Sequence, residues 1–153
     1  MSVDFAQAKI MHERGQIAEA IQAYDGLLNA KFDDVNVLTY YATALLQQGK
    51  SGIAAHVFMQ ALQIAPKDVD IMHNLSNCYK QENNVEAAEE ILRMAIKVKE
   101  NSDLWGSLGN IYINNGTPHK ALECYEHGLK LNPKNDLIKF FMGLAYLELG
   151  MWE

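Results

Sequence analysis

The stretch that decides the fold is WGSLGNIYINNGTPHKALECYEHGLKLNP, residues 105–133. It contains the spacing W-x2-L-G-x2-Y, then A-x3-aromatic, and then a proline. The residues at these positions are Trp105, Leu108, Gly109, Tyr112, Ala121, Tyr125 and Pro133. Gly116 follows an apolar-periodic segment, at a point where a left-handed residue would end a helix. The stretch therefore predicts two antiparallel helices joined by a short turn.

The same spacing recurs earlier in the chain at a period of about 34 residues, which is the signature of a repeat architecture. The matching positions are Gly15, Ala20 and Tyr24, and then Gly49, Ala54, Phe58, Ala61 and Pro66. The predicted repeats span residues 1–34, 35–68, 69–101 and 102–135, with a partial fifth over 136–153.

This pattern resembles the tetratricopeptide repeat (TPR) family, whose repeat has these Trp, Leu-Gly, Tyr, Ala, aromatic and Pro positions. The resemblance covers the whole chain. It implies an all-α fold, a right-handed α-solenoid of antiparallel helix pairs (the TPR superhelix), with about four and a half repeats in a single domain over residues 1–153.

Two repeats depart from the pattern. The third has Asn83 where its neighbours have Gly, Glu100 where they have Pro, and one residue fewer before the next repeat. We expect a slightly irregular joint near residues 99–102. The first repeat lacks the Trp and Leu-Gly elements, so its first helix is identified mainly from the second helix of the same repeat.

Bulky signature residues are expected to pack between the helices. Gly109 is expected to let the backbone of the partner helix come close, with Ala121 and Gly128 as small contacts on the second helix. Thr117 is the expected N-cap of the helix that begins at Pro118. The aromatic residues assigned to the core are Tyr24, Phe58, Tyr79, Trp105, Tyr112, Tyr125 and Tyr146.

Composition and charge argue against several classes of function. Charged residues make up 21% of the chain and the formal net charge is −6. A net negative field repels a phosphate backbone, so no nucleic acid partner is expected. No stretch approaches the roughly 18 apolar residues of a membrane span, and the N-terminus lacks the pattern of a signal peptide. A cytoplasmic protein without a membrane partner is the expectation.

No pattern predicts catalysis, a metal or a cofactor. The five histidines show neither HExxH spacing nor a CxxC companion. Glu123, Cys124 and His127 could be drawn as orienter, nucleophile and base, but side chains on one helix surface seldom make an enclosed site. Cys78 and Cys124 are expected to be reduced thiols. We therefore predict a protein that is not an enzyme.

One face of the first helix in each repeat is the predicted binding surface. A helix turns about 100° per residue, and TPR proteins that resemble this chain line a concave groove with the face opposite to the signature residues. The candidate groove residues are Tyr40, Thr43, Asp70, His73, Asn74, Asn77, Gln81, Asp103, Ser107, Asn110 and Asn114. Side-chain amides donate and accept at once, so they suit the backbone of an extended peptide. The alternative is that this face is only solvated.

The acidic residues in this set indicate which charge the ligand should have. Asp70 and Asp103 occupy positions where TPR domains that clamp chaperone tails need cations, and they would repel a terminal carboxylate. The run of Asn74, Asn77 and Asn110 is instead similar to the asparagine ladder of O-linked N-acetylglucosamine transferases, in which amides grip the peptide main chain.

The last predicted helix, residues 136–149, is a second candidate surface. A helix that is apolar on nearly all sides is normally buried, and the chain stops within the fifth repeat. Either the chain is cut from a larger protein or another copy covers the helix, and a weak homodimer is expected. The candidate interface residues are Leu137, Phe140, Phe141, Leu144, Leu147 and Trp152.

The sequence thus predicts a non-catalytic module that binds a protein or peptide partner in its groove or through its C-terminal apolar helix. Two alternatives stay open: a self-assembling structural scaffold, and the substrate-docking TPR region of a larger, glycosyltransferase-like enzyme.

Overall fold

Within residues 3–30 and 34–151, which the computed structural model describes, the chain forms nine α-helices and no strand. The helices are α1 (Phe5–Glu13), α2 (Ile17–Asn29), α3 (Val35–Gln47), α4 (Ser51–Ile64), α5 (Val69–Gln81), α6 (Val85–Val98), α7 (Ser102–Asn114), α8 (Pro118–Leu131) and α9 (Asp136–Glu148). The predicted all-α fold is confirmed.

The helix lengths reproduce the repeat. Helices α3, α5, α7 and α9 each have 13 residues, and α4, α6 and α8 each have 14. The start of α7 follows the start of α5 by one residue less than α5 follows α3 or α9 follows α7. The structure therefore has the shortened third repeat. Asn101 caps the start of α7, because its side chain accepts a hydrogen bond from the Leu104 N–H at 2.9 Å.

Left-handed residues make the turns after the first helices, as predicted. Gly15, Gly49, Gly116 and Gly150 have φ values of 77°, 78°, 69° and 67°. In the third repeat Asn83 takes this place, with φ 56°. Asparagine tolerates the left-handed region better than most residues with a side chain, so the substitution preserves the turn.

The helices form two compact units, one up to Asn84 and the other from Val85. Large side chains fill the core of each unit. In the first unit Tyr24, Phe58 and Ile71 are buried. In the second unit Leu92, Leu108, Ile111, Tyr125 and Ile138 are buried.

Glycines in the second unit provide space, although not as the sequence suggests. A Cβ on Gly109 would overlap the ring of Tyr125, so Gly109 accommodates an aromatic side chain and not a neighbouring backbone. The close backbone contact lies at Gly128, where a Cβ would be 3.1 Å from the Ser102 carbonyl oxygen and 2.6 Å from Ile138 Cδ1. The predicted role of Gly109 is wrong in this respect.

Not all signature aromatics reach the core. Tyr24, Phe58, Tyr112 and Tyr125 are buried, as predicted, but three others are only half-buried. These are Tyr79, Trp105 and Tyr146. The Trp105 indole stacks on His127, with ring centroids 4.7 Å apart, and its N–H donates to Glu100. The indole N–H needs a polar partner, and that partner lies at the surface.

Thr117 also differs from expectation. It occupies the N-cap position of α8, but its side chain makes no capping hydrogen bond. Its hydroxyl donates instead to the Tyr112 carbonyl oxygen at 3.0 Å. The residue therefore completes the end of α7 and does not cap the start of α8.

The space at Gly109 can be tested by adding one methyl group. Tyr125 is fully buried and its hydroxyl is bonded to Asn110, so the ring cannot move aside freely. We expect Gly109→Ala to lower the free energy of unfolding by about 1–3 kcal/mol, the usual cost of overpacking, as measured by urea denaturation. Gly26→Ala is the matched control, because this helical glycine faces open space among the described residues. It should gain about 0.5–1 kcal/mol. A Gly109→Ala protein as stable as the wild type would contradict the packing described here.

Candidate protein-binding surfaces

In the first unit, α1 and α3 border an open cavity of about 410 Å³. Two predicted groove residues, Tyr40 and Thr43, lie in its wall. The full lining is His12, Glu13, Thr39, Tyr40, Thr43 and Gln47. Sequence reasoning missed His12 and Glu13 because the first repeat lacks the signature residues. Counting back one full repeat from the end of α3 would have found them.

Polar contacts fix the histidine in this cavity. His12 Nε2 lies 3.0 Å from Gln47 Oε1 and His12 Nδ1 lies 3.4 Å from the Tyr24 hydroxyl. Because an amide oxygen only accepts, Nε2 carries the proton and Nδ1 accepts from Tyr24. Burial raises the pKa of Tyr24 to about 12, with smaller contributions from Tyr40 and Glu13, so this phenol stays neutral and keeps donating.

The remaining groups in the wall are mainly acceptors. The Thr39 and Thr43 hydroxyls donate to the carbonyl oxygens of Val35 and Thr39, at 2.7 and 2.8 Å. Each hydroxyl hydrogen is therefore engaged in a hydrogen bond, and the hydroxyl oxygen can act towards a ligand only as an acceptor. Together with the exposed carboxylate of Glu13, these oxygens favour a ligand that brings hydrogen-bond donors.

Tyr40 forms a rigid side of the cavity. Its ring packs edge-on against Phe5, with centroids 5.6 Å apart, and against His12 at 6.1 Å. The Lys9 ammonium lies 5.0 Å from the centroid of the Tyr40 ring. A tilted contact with Tyr24, with ring centroids 6.3 Å apart, adds a fourth group that holds the Tyr40 ring in place.

The predicted residues of the third repeat share one face of α5. Asp70, Asn74, Asn77 and Gln81 are spaced by four, three and four residues, which is the helical period. Asn74 and Asn77 are half-buried, as is His73, whereas the residues at either end are exposed. The helix begins at Val69 because the Asp68 side chain accepts from two backbone N–H groups of its first turn.

Two predicted groove residues in the second unit, Asn110 and Asp103, accept hydrogen bonds from other side chains. Asn110 Oδ1 accepts from the Tyr125 hydroxyl at 2.6 Å, and Asp103 Oδ1 accepts from Asn135 Nδ2 at 3.0 Å. Asn110 keeps its NH2 group as a donor. Ser107 is half-buried and Asn114 is exposed. The sequence gives no sign that the buried Tyr125 reaches this face.

The Glu123, Cys124 and His127 set borders a smaller depression of about 270 Å³. Burial raises the pKa of the Cys124 thiol to about 11. The His127 ring stacks on Trp105. A neutral, buried thiol is a poor nucleophile. Within residues 3–30 and 34–151 no group of three or more His, Cys, Asp or Glu could hold a metal ion.

The cationic side of this depression is already compensated. Arg93 donates to Glu89 Oε1 at 2.9 Å and to the Tyr112 hydroxyl, which in turn donates to Glu89 Oε1 at 2.7 Å. The hydrogen bond from Tyr112 lowers the pKa of the Glu89 carboxyl most. The hydrogen bond from Arg93 and the positive charge of Arg93 lower it further. This network joins α6 to α7 and compensates the charge of Arg93.

Helix α9 exposes a continuous apolar stripe. Leu137, Phe140, Leu144 and Leu147 follow one another at intervals of three and four residues, and each is at least 41% exposed. The opposite side of the helix, with Ile138 and Ala145, is buried. Phe141, a predicted interface residue, is half-buried and packs edge-on against the ring of Phe140. Trp152 lies outside the described residues.

These helix pairs define an α-solenoid of the kind that serves as a protein-interaction scaffold. Tetratricopeptide repeat models match residues 45–111 and 102–135. The chain belongs to the tetratricopeptide repeat family.

Three known proteins illustrate the likeness. The BBSome complex member BBS4 from Bos taurus is 28% identical over 149 residues, which is 97% of this chain and 29% of that protein. The structure of MamA has a TM-score of 0.84 at 22% identity and covers 99% of this chain and 88% of its own. TTC0263 from Thermus thermophilus has a TM-score of 0.79 at 18% identity, with coverages of 92% and 78%.

These identities and coverages limit which properties of the known proteins can be assigned to this chain. The two structural matches have identities of only 22% and 18%, so they show the fold alone. The chain spans less than a third of the length of BBS4. Among the helices of the described residues, none is long and apolar enough to cross a membrane.

Thiol labelling tests the environment of the cysteines. With a pKa of about 11 for Cys78 and Cys124, thiolate is on the order of 0.1% at pH 8, against about a quarter for a free cysteine. We expect a disulfide reagent such as DTNB to modify neither thiol rapidly in the folded protein and both in denaturant. The variants Cys78→Ser and Cys124→Ser show which of the two cysteines gives rise to any labelling signal. Rapid labelling of folded Cys124 would show that its depression is a reactive site.

Proposed function

We propose that this chain is a non-catalytic adaptor that binds an extended peptide along the first-helix face of the repeats in its first unit. The half-buried amides of Asn74 and Asn77 on α5 carry this proposal. They follow the helical period on one face, and a partly desolvated amide gains more from a hydrogen bond than a fully exposed one.

The cavity between α1 and α3 supports the same interpretation. Its rigid Tyr40 wall provides an apolar surface, while Glu13 and the threonine oxygens accept hydrogen bonds. A peptide side chain with N–H donors, such as Arg or Lys, matches this lining. The acids Asp70 and Asp103 and the net charge of −6 point to a neutral or basic peptide, and they disfavour a terminal carboxylate or nucleic acid.

The relatives are compatible with an assembly role. BBS4 is by its name a member of a complex, and the TPR family places protein binding on the surfaces of its helix pairs. An adaptor needs no catalytic group, which agrees with the neutral buried thiol of Cys124.

Replacing the two amides of α5 tests the proposal. A peptide is first selected against the whole chain from a displayed random library. We expect the double variant Asn74→Ala, Asn77→Ala to bind it about 1–3 kcal/mol more weakly, the range for lost neutral hydrogen bonds, in a fluorescence titration. Asn110 is left intact, because its loss would leave the buried Tyr125 hydroxyl without its acceptor.

The control is Gln60→Ala with Gln63→Ala, two exposed amides on the second helix α4, which should leave the affinity unchanged. The difference in affinity between the wild type and the amide double variant should vary little with salt, because the lost hydrogen bonds are between neutral groups. If the α5 variant and the control bind equally well, the first-helix face is not the peptide site.

The exposed stripe of α9 supports a second candidate function, which is self-association. Full burial of a Phe or Leu side chain contributes about 1.5–3 kcal/mol, and four such side chains make a patch of the kind that marks an interface. We propose a weak homodimer through this stripe.

Sedimentation equilibrium tests the dimer. At about 100 μM, where a contact of roughly 5 kcal/mol begins to show, we expect the wild type to sediment with a mass above that of the monomer. Phe140→Lys should restore the monomer. Ile53→Lys, on the exposed side of α4, should not. A wild type that is purely monomeric at this concentration would exclude the dimer.

A further inference from the structure

The cavity between α1 and α3 has a single carboxylate in its wall. Among the residues that line it, Glu13 is the one that carries a formal charge. Its side chain is exposed and takes part in neither ion pair found in the described part of the chain. Burial raises the pKa of Tyr24 most, and Tyr40 and Glu13 raise it further. The Glu13 charge therefore acts on the Tyr24 hydroxyl, which bonds to His12 in the cavity wall.

The other ionisable groups near this cavity leave room for a cation. Both ring nitrogens of His12 are bonded, one to Gln47 and one to Tyr24, and the neutral ring satisfies both contacts. Lys9 borders a separate depression, which Glu13 also borders. The wall of the cavity between α1 and α3 thus presents one negative charge beside aromatic rings.

Helices of the chain itself bound this cavity on both sides. In α3 the residues Val37 and Ala44 pack into the buried cluster that contains Tyr24. The residues one repeat length earlier are Val3 and Ile10, and neither lines the cavity. A helix pair packed before α1, as α1 and α2 are packed before α3, would therefore cover Val3 and Ile10 and leave the cavity open.

We propose that this cavity binds the arginine side chain of an extended peptide, with Glu13 as the ionic partner of the guanidinium and Tyr40 as the apolar wall along its stem. The proposal rests on the peptide groove proposed above and names the side chain that the peptide brings to it. Helix α3 contacts both α1 and α5. A peptide that crosses the α5 amides can therefore extend over α3 to the cavity.

The lining favours arginine over lysine. Its acceptors lie on two helices, the Glu13 carboxylate on α1 and the hydroxyl oxygens of Thr39 and Thr43 on α3. A guanidinium presents several N–H donors in one plane and can bond to acceptors on both sides. It also stacks on aromatic rings such as that of Tyr40. An ammonium is a compact and strongly hydrated charge, so it loses more on entering a cavity with one carboxylate.

Amino-acid amides provide probes that separate charge from shape. N-acetyl-arginine amide is titrated into the ¹⁵N-labelled whole chain and followed by NMR. We expect saturable shifts of signals from α1 and α3, including the side-chain NH2 of Gln47. N-acetyl-citrulline amide has nearly the same shape and keeps N–H donors but lacks the charge, so it should bind about tenfold more weakly. N-acetyl-lysine amide should bind about threefold more weakly, and the norleucine amide should shift none of these signals.

Replacing the carboxylate on the chain tests the ionic partner. Glu13→Gln keeps the size of the side chain and should weaken binding of the arginine amide about tenfold, while binding of the citrulline amide stays unchanged. This double-mutant cycle isolates the pair of Glu13 and the guanidinium. Glu19→Gln is the matched control, because Glu19 is an exposed carboxylate on α2 and its loss changes the net charge equally. It should bind both amides as the wild type does.

A displayed random peptide library tests the same pocket in a peptide. Peptides selected on the wild type should be enriched in arginine over lysine. Selection on Glu13→Gln should lose this enrichment, and selection on Glu19→Gln should keep it. Equal arginine content in the three selections would contradict the assignment of the pocket.

The outcomes separate this pocket from the α5 part of the proposed function. The inference is overturned if the arginine amide shifts no signal of α1 or α3, if the citrulline amide binds equally well, or if Glu13→Gln and Glu19→Gln behave alike. The Asn74→Ala, Asn77→Ala double variant should bind the arginine amide as the wild type does. If that variant also binds the selected peptide normally, the pocket stands and the α5 site fails. If it binds the selected peptide weakly and that peptide contains no arginine, the α5 site stands and the pocket is wrong.

Discussion

The structure depends on one recurring contact, in which a large side chain of the second helix packs on a small residue of the first. Tyr125 on Gly109 is the clearest case. Helices as short as α7 and α8 are marginal alone in water, so this interlocking, together with the apolar residues around it, decides whether the pair forms. In the first unit Ala8 and Tyr24 belong to one buried cluster, so a small residue of the first helix and a large residue of the second share a core there as well.

The same contact joins the core to the candidate binding face. Buried tyrosines cannot leave their hydroxyls without partners, and they find them on the first helix: Tyr125 on Asn110, and Tyr24 on His12. His12 in turn donates to Gln47. Core packing therefore orients polar side chains that lie on the surface proposed for peptide binding. A residue such as Asn110 is for that reason both a structural acceptor and a candidate ligand contact, and its replacement would alter stability and binding together.

Much of the fold could be predicted from the sequence because its signals are local. Turns at Gly49 and Gly116 need a left-handed residue, and the shortened third repeat is visible as one missing residue. The errors concern what a side chain meets across helices. The signature assigns Trp105 to the core, but its N–H reaches Glu100 at the surface. The first helix of the first repeat lacks signature residues. His12 on that helix can therefore be placed in the cavity only by counting back one repeat length from α3. Which predicted groove residues are already bonded within the chain, as Asn110 and Asp103 are, depends on distances that spacing cannot supply.

The two candidate surfaces work by different physics. The face of α5 offers half-buried amides and nearby acceptors, so recognition there depends on hydrogen-bond geometry and on the donors of the ligand. Helix α9 offers an exposed apolar stripe, so recognition there depends on shape and on the absence of unpaired polar groups. The contrast arises from substitution within one register: Asn110 and Leu144 are equivalent positions on α7 and α9. A repeat fold can thus present a polar side chain on one helix and an apolar side chain at the equivalent position of another without changing its backbone.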